Sequence, residues 1–124
     1  MIVEKIDTHI ITDKETVKKV IKKINSVNPP ILFINDSNGF FLGTISDGDI
    51  RRFLLKGKSL ETNIKEAVNT KPIFCRENEL ISKASFFEKK LINANLKGIP
   101  ILKNKKIIKA FLLNIHPLKK NKLL

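Results

Sequence analysis

Short apolar runs alternate with polar breaks along this chain, and the spacing within each run predicts its element. Ile10 and Ile11 form an apolar pair, followed by Thr12-Asp13-Lys14-Glu15 with the T-x-x-E form of a capping box. Val17, Val20, Ile21 and Ile24 recur at helical spacing with Lys18, Lys19, Lys22 and Lys23 between them, which predicts a helix with one buried stripe, stopped at Pro29-Pro30. The unbroken run Ile31–Ile34 predicts a buried strand. Asp36-Ser37-Asn38-Gly39 predicts a tight turn, and Phe40 to Ile45 the return strand of a hairpin. Ser46-Asp47-Gly48-Asp49 opens a second helix, Ile50 to Lys56, which Gly57 closes.

A polar connector follows, 58–71, with a short helix carrying Ile64, Ala67 and Val68. The pattern then begins again. Ile73-Phe74-Cys75 reads as a strand, and Leu80, Ala84, Phe87 and Leu91 as a helical stripe. Pro100-Ile101-Leu102 repeats Pro30-Ile31-Leu32. Asn104-Lys105-Lys106 is a turn and Ile107 to Leu113 a return strand. This is an internal repeat. The second copy has seven more residues between the start of its helical stripe and its proline, so either its helix or its exit loop is longer. The boundaries expected are 1–57 for the first repeat, 58–71 for the connector, 72–116 for the second repeat and 117–124 for a tail. Units of this size are marginal alone, so the two are expected to share a core. The fold class is α/β, with two βαββα-like repeats packed through their sheets about a pseudo-two-fold axis.

Composition narrows the function. Of 124 residues, 42% are apolar and 29% charged, an ordinary globular balance. The net charge of +12 raises nucleic acid as a partner, but 21 of the 24 basic residues are Lys, scattered along the chain. Lys, with 12 Asn and 19 Ile, is what AT-rich codons encode, whereas base and phosphate readers lean on the Arg fork. No specific nucleic-acid partner is therefore expected. The one cysteine, Cys75, excludes an internal disulfide and reads as a buried thiol, while His9 and His116 lack ligand spacing. No apolar run approaches the ~20 residues that span a bilayer. Glu4, Lys5 and Asp7 interrupt any signal peptide, so a cytoplasmic address without a membrane partner is expected. No nucleophile–base pair or paired carboxylates stand out, and the chain does not read as an enzyme.

The chemistry concentrates in Gly43-Thr44-Ile45-Ser46-Asp47-Gly48-Asp49-Ile50-Arg51-Arg52. A glycine within a strand lets something approach the backbone. Ser46 lies where strand becomes helix, and free N–H groups there attract anions. Asp49 offers two acceptor oxygens suited to vicinal hydroxyls, as on a ribose. The same two residues also have the S-x-x-D spacing of a capping box, and spacing alone does not separate the two roles.

This run and the upstream Pro30-Ile31-Leu32-Phe33-Ile34 strand resemble the G-x-hydrophobic-[ST]-x-x-D-hydrophobic signature of CBS domains. The duplication resembles their tandem arrangement, the Bateman module, over about residues 8 to 115. The resemblance implies a regulatory module with no required cofactor, taking AMP, ADP, ATP or S-adenosylmethionine as ligand. It implies that Ser46 and Asp49 hold phosphate and ribose and that Ile73 and Phe74 flank the adenine. Lys97, Gly98 and Ile99 would lie near the ligand, with Lys97, Arg51 and Arg52 as candidate phosphate partners. In the second repeat Lys109 falls at the glycine, Leu112 at the Ser and Ile115 at the Asp, so its own site should be weak or empty. Ser46-Asp47-Gly48-Asp49-Ile50-Arg51-Arg52 further resembles CBS pairs attached to sugar-nucleotide-forming transferases and sugar-phosphate isomerases. The chain starts almost directly with the repeat, as in the transferase group. That implies a catalytic domain in cis or trans, with this chain a fragment or a stand-alone module. A homodimer is also expected, because Phe53, Leu54 and Leu55 exceed what one small core needs. The alternative is a structural dimerisation module with a vestigial pocket.

Overall fold

The computed structural model describes residues 2–113. In order, these form β1 (Ile2–Val3), β2 (Ile10–Thr12), α1 (Val17–Ile24), β3 (Ile31–Asn35), β4 (Phe41–Ser46), α2 (Asp47–Leu55), β5 (Cys75–Arg76), α3 (Leu80–Asn93), β6 (Gly98–Lys103) and β7 (Lys106–Leu112). Two sheets result, β2-β3-β4 and β1-β7-β6-β5. The unbroken apolar run of β3 follows from burial on both faces. Leu32 and Ile34 pack with the stripe of α1 and with Ile50 and Phe53 of α2, while Ile31 and Phe33 meet Ala110 and Leu112 of β7 in a layer between the sheets. A third cluster lies outside the other sheet, where Phe87 and Leu91 of α3 cover Cys75, Ile99, Ile101 and Phe111. Each such fully buried side chain contributes on the order of 1.5–3 kcal/mol. The molecule is therefore α/β, two repeats joined through their sheets as the pattern predicts.

Register shows the pseudo-symmetry directly. Ile31 pairs with Ser46 and Gly98 with Leu112; a bulge follows Ile34 in one hairpin and Ile101 in the other. The edges are exchanged between repeats. Val3 of β1 pairs with Ala110 of the second sheet, and Asn69, just before the second repeat, bridges to Thr44 of the first. Residues 2–3 thus extend the second sheet, a pairing with no sequence signal in a strand so short. The connector is also bonded to α1, whose first-turn N–H groups of Val17 and Lys18 donate to Thr62 and Leu60 carbonyls.

Several expectations shift. No capping box forms at Thr12–Glu15; α1 begins later, and Thr16 caps it by accepting from the Lys19 amide. Glu15 instead pairs with Lys19 at 3.8 Å. The helix ends at Ile24, ahead of the prolines, with Asn25 as its C-cap. The α2 helix starts at Asp47, and Gly57 follows its end at φ +78° as read from sequence. The strand expected at 73–75 lies at Cys75–Arg76, because Pro72 and the half-exposed Ile73 and Phe74 precede the pairing with Ile101 and Leu102. The extra length of the second repeat is in its helix, 14 residues against 8. The matching strands begin at Ile31 and Gly98 rather than at the two prolines. Ile115, His116 and the tail 117–124 lie outside the described residues.

Candidate functional site

The hairpin β3–β4 delivers the chain into α2 at Ser46, whose extended backbone turns into the helix. Its hydroxyl accepts from the Asp49 amide at 3.2 Å, and Asp49 Oδ2 accepts from the Ser46 amide at 2.9 Å and from its hydroxyl at 3.1 Å. The capping box allowed by the spacing is present. The Arg52 guanidinium donates to the other oxygen, Oδ1, at 2.7 Å. The Asp47 amide donates to the Pro30 carbonyl at 3.2 Å. The free N–H groups expected here are therefore mostly engaged, leaving the amide of Gly48, which lines the cleft. Each carboxylate oxygen accepts about two hydrogen bonds, so Asp49 keeps acceptor capacity.

Beside this turn lies a cleft of about 370 Å³. Ser46, Asp47, Gly48, Asp49, Arg51 and Arg52 line one side. From the approach to the second repeat come Asn69, Pro72 and Ile73, and from the loop into β6 come Asn95, Leu96, Lys97 and Gly98; Ile31 and Thr44 complete the lining. Its charged members are Asp47, Asp49, Arg51, Arg52 and Lys97. The structure thus brings together seven of the nine residues expected from sequence: Ser46, Asp49, Ile73, Lys97, Gly98, Arg51 and Arg52. Phe74 is turned away, next to Arg76, whose guanidinium stands 5.2 Å from its ring centroid. Ile99 is fully buried against α3 with Phe87 and Leu91, because strand alternation puts it on the face opposite Gly98. Sequence reasoning missed Asn69, Pro72, Asn95 and Leu96. The Lys71-Pro72 step and the positive φ of Asn95 (54°) mark two of these turns, but only the first is visible in sequence.

Gly43 admits backbone rather than ligand. A β-carbon there would collide with the Asn69 carbonyl oxygen and stand 2.6 Å from Val68 Cγ1. Its close neighbour is the connector, joined to Thr44 by two amide hydrogen bonds of 3.0 and 2.8 Å. Behind the cleft, buried His9 donates from Nδ1 to the Ile31 carbonyl at 2.8 Å. Cys75 is buried, and burial followed by the Glu79 carboxylate pushes its thiol pKa up. In the second repeat, the register sets Lys109 opposite Ile101 as Gly43 is opposite Ile34, and Leu112, buried, where Ser46 stands. No group of three or more metal-binding side chains occurs among the described residues, and no helix there is long and apolar enough to cross a membrane.

No protein-family profile matches the sequence. A 41-residue stretch, 33% of this chain, is 49% identical to an uncharacterized protein of Helicobacter pylori, of which it spans 12%. Solved structures share the fold. A CBS domain protein from Streptococcus pneumoniae superposes with a TM-score of 0.71 at 14% identity, over 90% of this chain and 72% of that one. CBSX2 in complex with AMP gives 0.70 at 15%, over 90% and 85%. CbpB in complex with c-di-AMP gives 0.70 at 20%, over 90% and 75%. The fold is that of CBS-domain proteins.

Proposed function

We propose that the chain is a non-catalytic regulatory module that binds an adenine nucleotide (AMP, ADP or ATP) or S-adenosylmethionine in the cleft at the start of α2. The observation that carries this reading is the junction itself. Ser46 and Asp49 of one repeat face Ile73, Lys97 and Gly98 of the other, combining hydroxyl-binding, phosphate-binding and apolar groups in one cleft. Its volume falls in the roughly 300–1,000 Å³ range of small-molecule sites. Proteins of this fold in complex with AMP and c-di-AMP support the adenine assignment. A ligand bridging both repeats changes how they sit against a catalytic domain in cis or trans. The Ser46–Arg52 run supports a sugar-nucleotide-forming transferase or a sugar-phosphate isomerase as that domain.

The module acts as a homodimer in this reading. Phe53 is buried and Leu54 packs on the core, but Leu55 is 82% exposed, as are Ile81 (99%), Ile92 (61%) and Phe86 (58%) on α3. Light scattering should give the dimer mass, and a monomer at high concentration removes this part. A purely structural module is the second reading, favoured by one fact: both Asp49 oxygens already have partners within the helix. A thermal-shift screen of AMP, ADP, ATP, S-adenosylmethionine and nucleotide sugars decides. A ligand at 100 times its Kd adds about 2.7 kcal/mol of stability; no stabilisation by any of them favours the structural module.

A further inference from the structure

Arg52 belongs to the last turn of α2, where a cation is favoured, yet its side chain does not stay there. Basic side chains gain near the C-terminal end, where the dipole is negative. This one folds back over the first turn of α2. Its Nη2 bonds Asp49 Oδ1 at 2.7 Å, and its Nη1 lies so near Gly48 that a β-carbon there would stand 3.3 Å away. The missing side chain at Gly48 gives the guanidinium its room. The pair is unequally exposed, Arg52 at 68% and Asp49 at 21%, so solvent and salt weaken the attraction that holds it. Within the same cleft Lys97 and Arg51 add positive charge, and only Asp47 and Asp49 oppose it. Asp49 Oδ2 is committed to Ser46, so Oδ1, the oxygen that Arg52 covers, is the one outside the capping box.

We propose that Arg52 makes the cleft select phosphorylated nucleosides over unphosphorylated ones, an inference that rests on reading the cleft as a nucleotide site. A bare nucleoside competes with the guanidinium for Asp49 Oδ1 and offers it nothing in exchange. A phosphate offers a doubly charged, fork-matched partner. It draws Arg52 off the carboxylate and frees Oδ1 for the sugar hydroxyls. Phosphate and sugar recognition are then coupled through one side chain, which is a difference in interaction between two arrangements of the same site.

The test is calorimetric titration of adenosine, AMP, ATP and S-adenosylmethionine into the full chain and into Arg52→Gln and Arg52→Lys, with urea midpoints confirming folded variants. Arg52→Gln should weaken AMP and ATP by at least about tenfold, the loss of a charge-assisted contact. It should tighten adenosine by about two- to fivefold, the release of an exposed ion pair. Arg52→Lys should recover part of the ATP affinity while binding adenosine as Arg52→Gln does, because the shorter, forkless side chain does not reach back to Asp49. Effects of opposite sign on ligands differing only in phosphate do not arise from general damage to the cleft. Changes of equal size and sign for adenosine and ATP, or none, overturn the role of Arg52 while the nucleotide reading stands. So does a wild type that binds S-adenosylmethionine but neither AMP nor ATP. A wild type that binds none of the four overturns the nucleotide reading and this inference with it.

Discussion

Gly43→Ala tests how the connector is fastened to the first repeat. The new methyl would collide with the Asn69 carbonyl oxygen and lie 2.6 Å from Val68 Cγ1. The first obstacle is backbone, so no rotamer change relieves it. The connector must lift, breaking the 3.0 and 2.8 Å amide bonds between Thr44 and Asn69. Each such bond contributes about 0.5–1.5 kcal/mol, and forcing a methyl into packed surroundings costs typically 1–3 kcal/mol. Removing a strand glycine returns roughly 0.5–1 kcal/mol of backbone entropy. The expected net loss is about 1–5 kcal/mol, centred near 3 kcal/mol. With urea slopes of about 1–3 kcal/mol/M, the unfolding midpoint should fall by roughly 1–2 M. Because Asn69, Pro72 and Ile73 lie on the lifted segment and line the cleft, nucleotide affinity should fall together with stability. A variant within about 0.5 kcal/mol of wild type, the scale of an ordinary surface change, would refute the claim that the connector requires glycine here.

Asp49→Asn loses a charged cap and the pairing with Arg52, so stability should fall by about 0.5–2 kcal/mol; nucleotide affinity should fall more than tenfold in the folded variant, and unchanged affinity by calorimetry would leave Asp49 as a cap alone. Thr16→Ala should cost about 1 kcal/mol in urea unfolding and Thr12→Ala clearly less, since Thr16 caps α1; the reverse order would contradict the helix boundary. Glu79 has its carboxyl held below the usual range, first by the Arg76 amide at 3.0 Å and then by the Lys83 ammonium at 3.2 Å. Its stabilisation is full above the unfolded carboxylate pKa and is lost as pH falls through the lower folded value. Urea midpoints of wild type and Glu79→Gln should therefore converge in acid, and parallel curves would refute the assignment.

The elements easiest to read from sequence were those whose pattern is local. The α1 stripe, the Asp36–Gly39 turn and the strand-to-helix step at Ser46 each rest on residues within a few positions of one another. The Asp36 carboxylate, for example, accepts from the Asn38 and Phe40 amides within its own turn. What was hidden depends on distant partners. Thr12 and Thr16 both have cap chemistry, and the choice falls to Thr16 because connector carbonyls from Leu60 and Thr62 meet the first turn that follows it. The pairing of β1 with β7 joins two residues to a strand over a hundred positions away. In the cleft, the polar cluster after Ser46 was legible because one turn carries it. Phe74 and Ile99 lie outside the cleft for two local reasons: β5 begins only at Cys75, leaving Phe74 in the segment before it, and Ile99 alternates with Gly98 onto the face covered by α3. That Arg52 folds back over Gly48 is a matter of rotamer, which spacing does not carry.

In the proposed function, one cleft per chain, built around Asp49, takes the nucleotide. Leu112, buried and apolar, stands in the second repeat where Ser46 stands in the first, so the related position lacks the hydroxyl. The direct measurement is isothermal titration of the full chain with AMP and ATP, with protein concentration fixed by amino-acid analysis. Binding should be saturable, with a stoichiometry near one nucleotide per chain. Two equivalent sites per chain, or no heat of binding with either nucleotide, would contradict the proposed function.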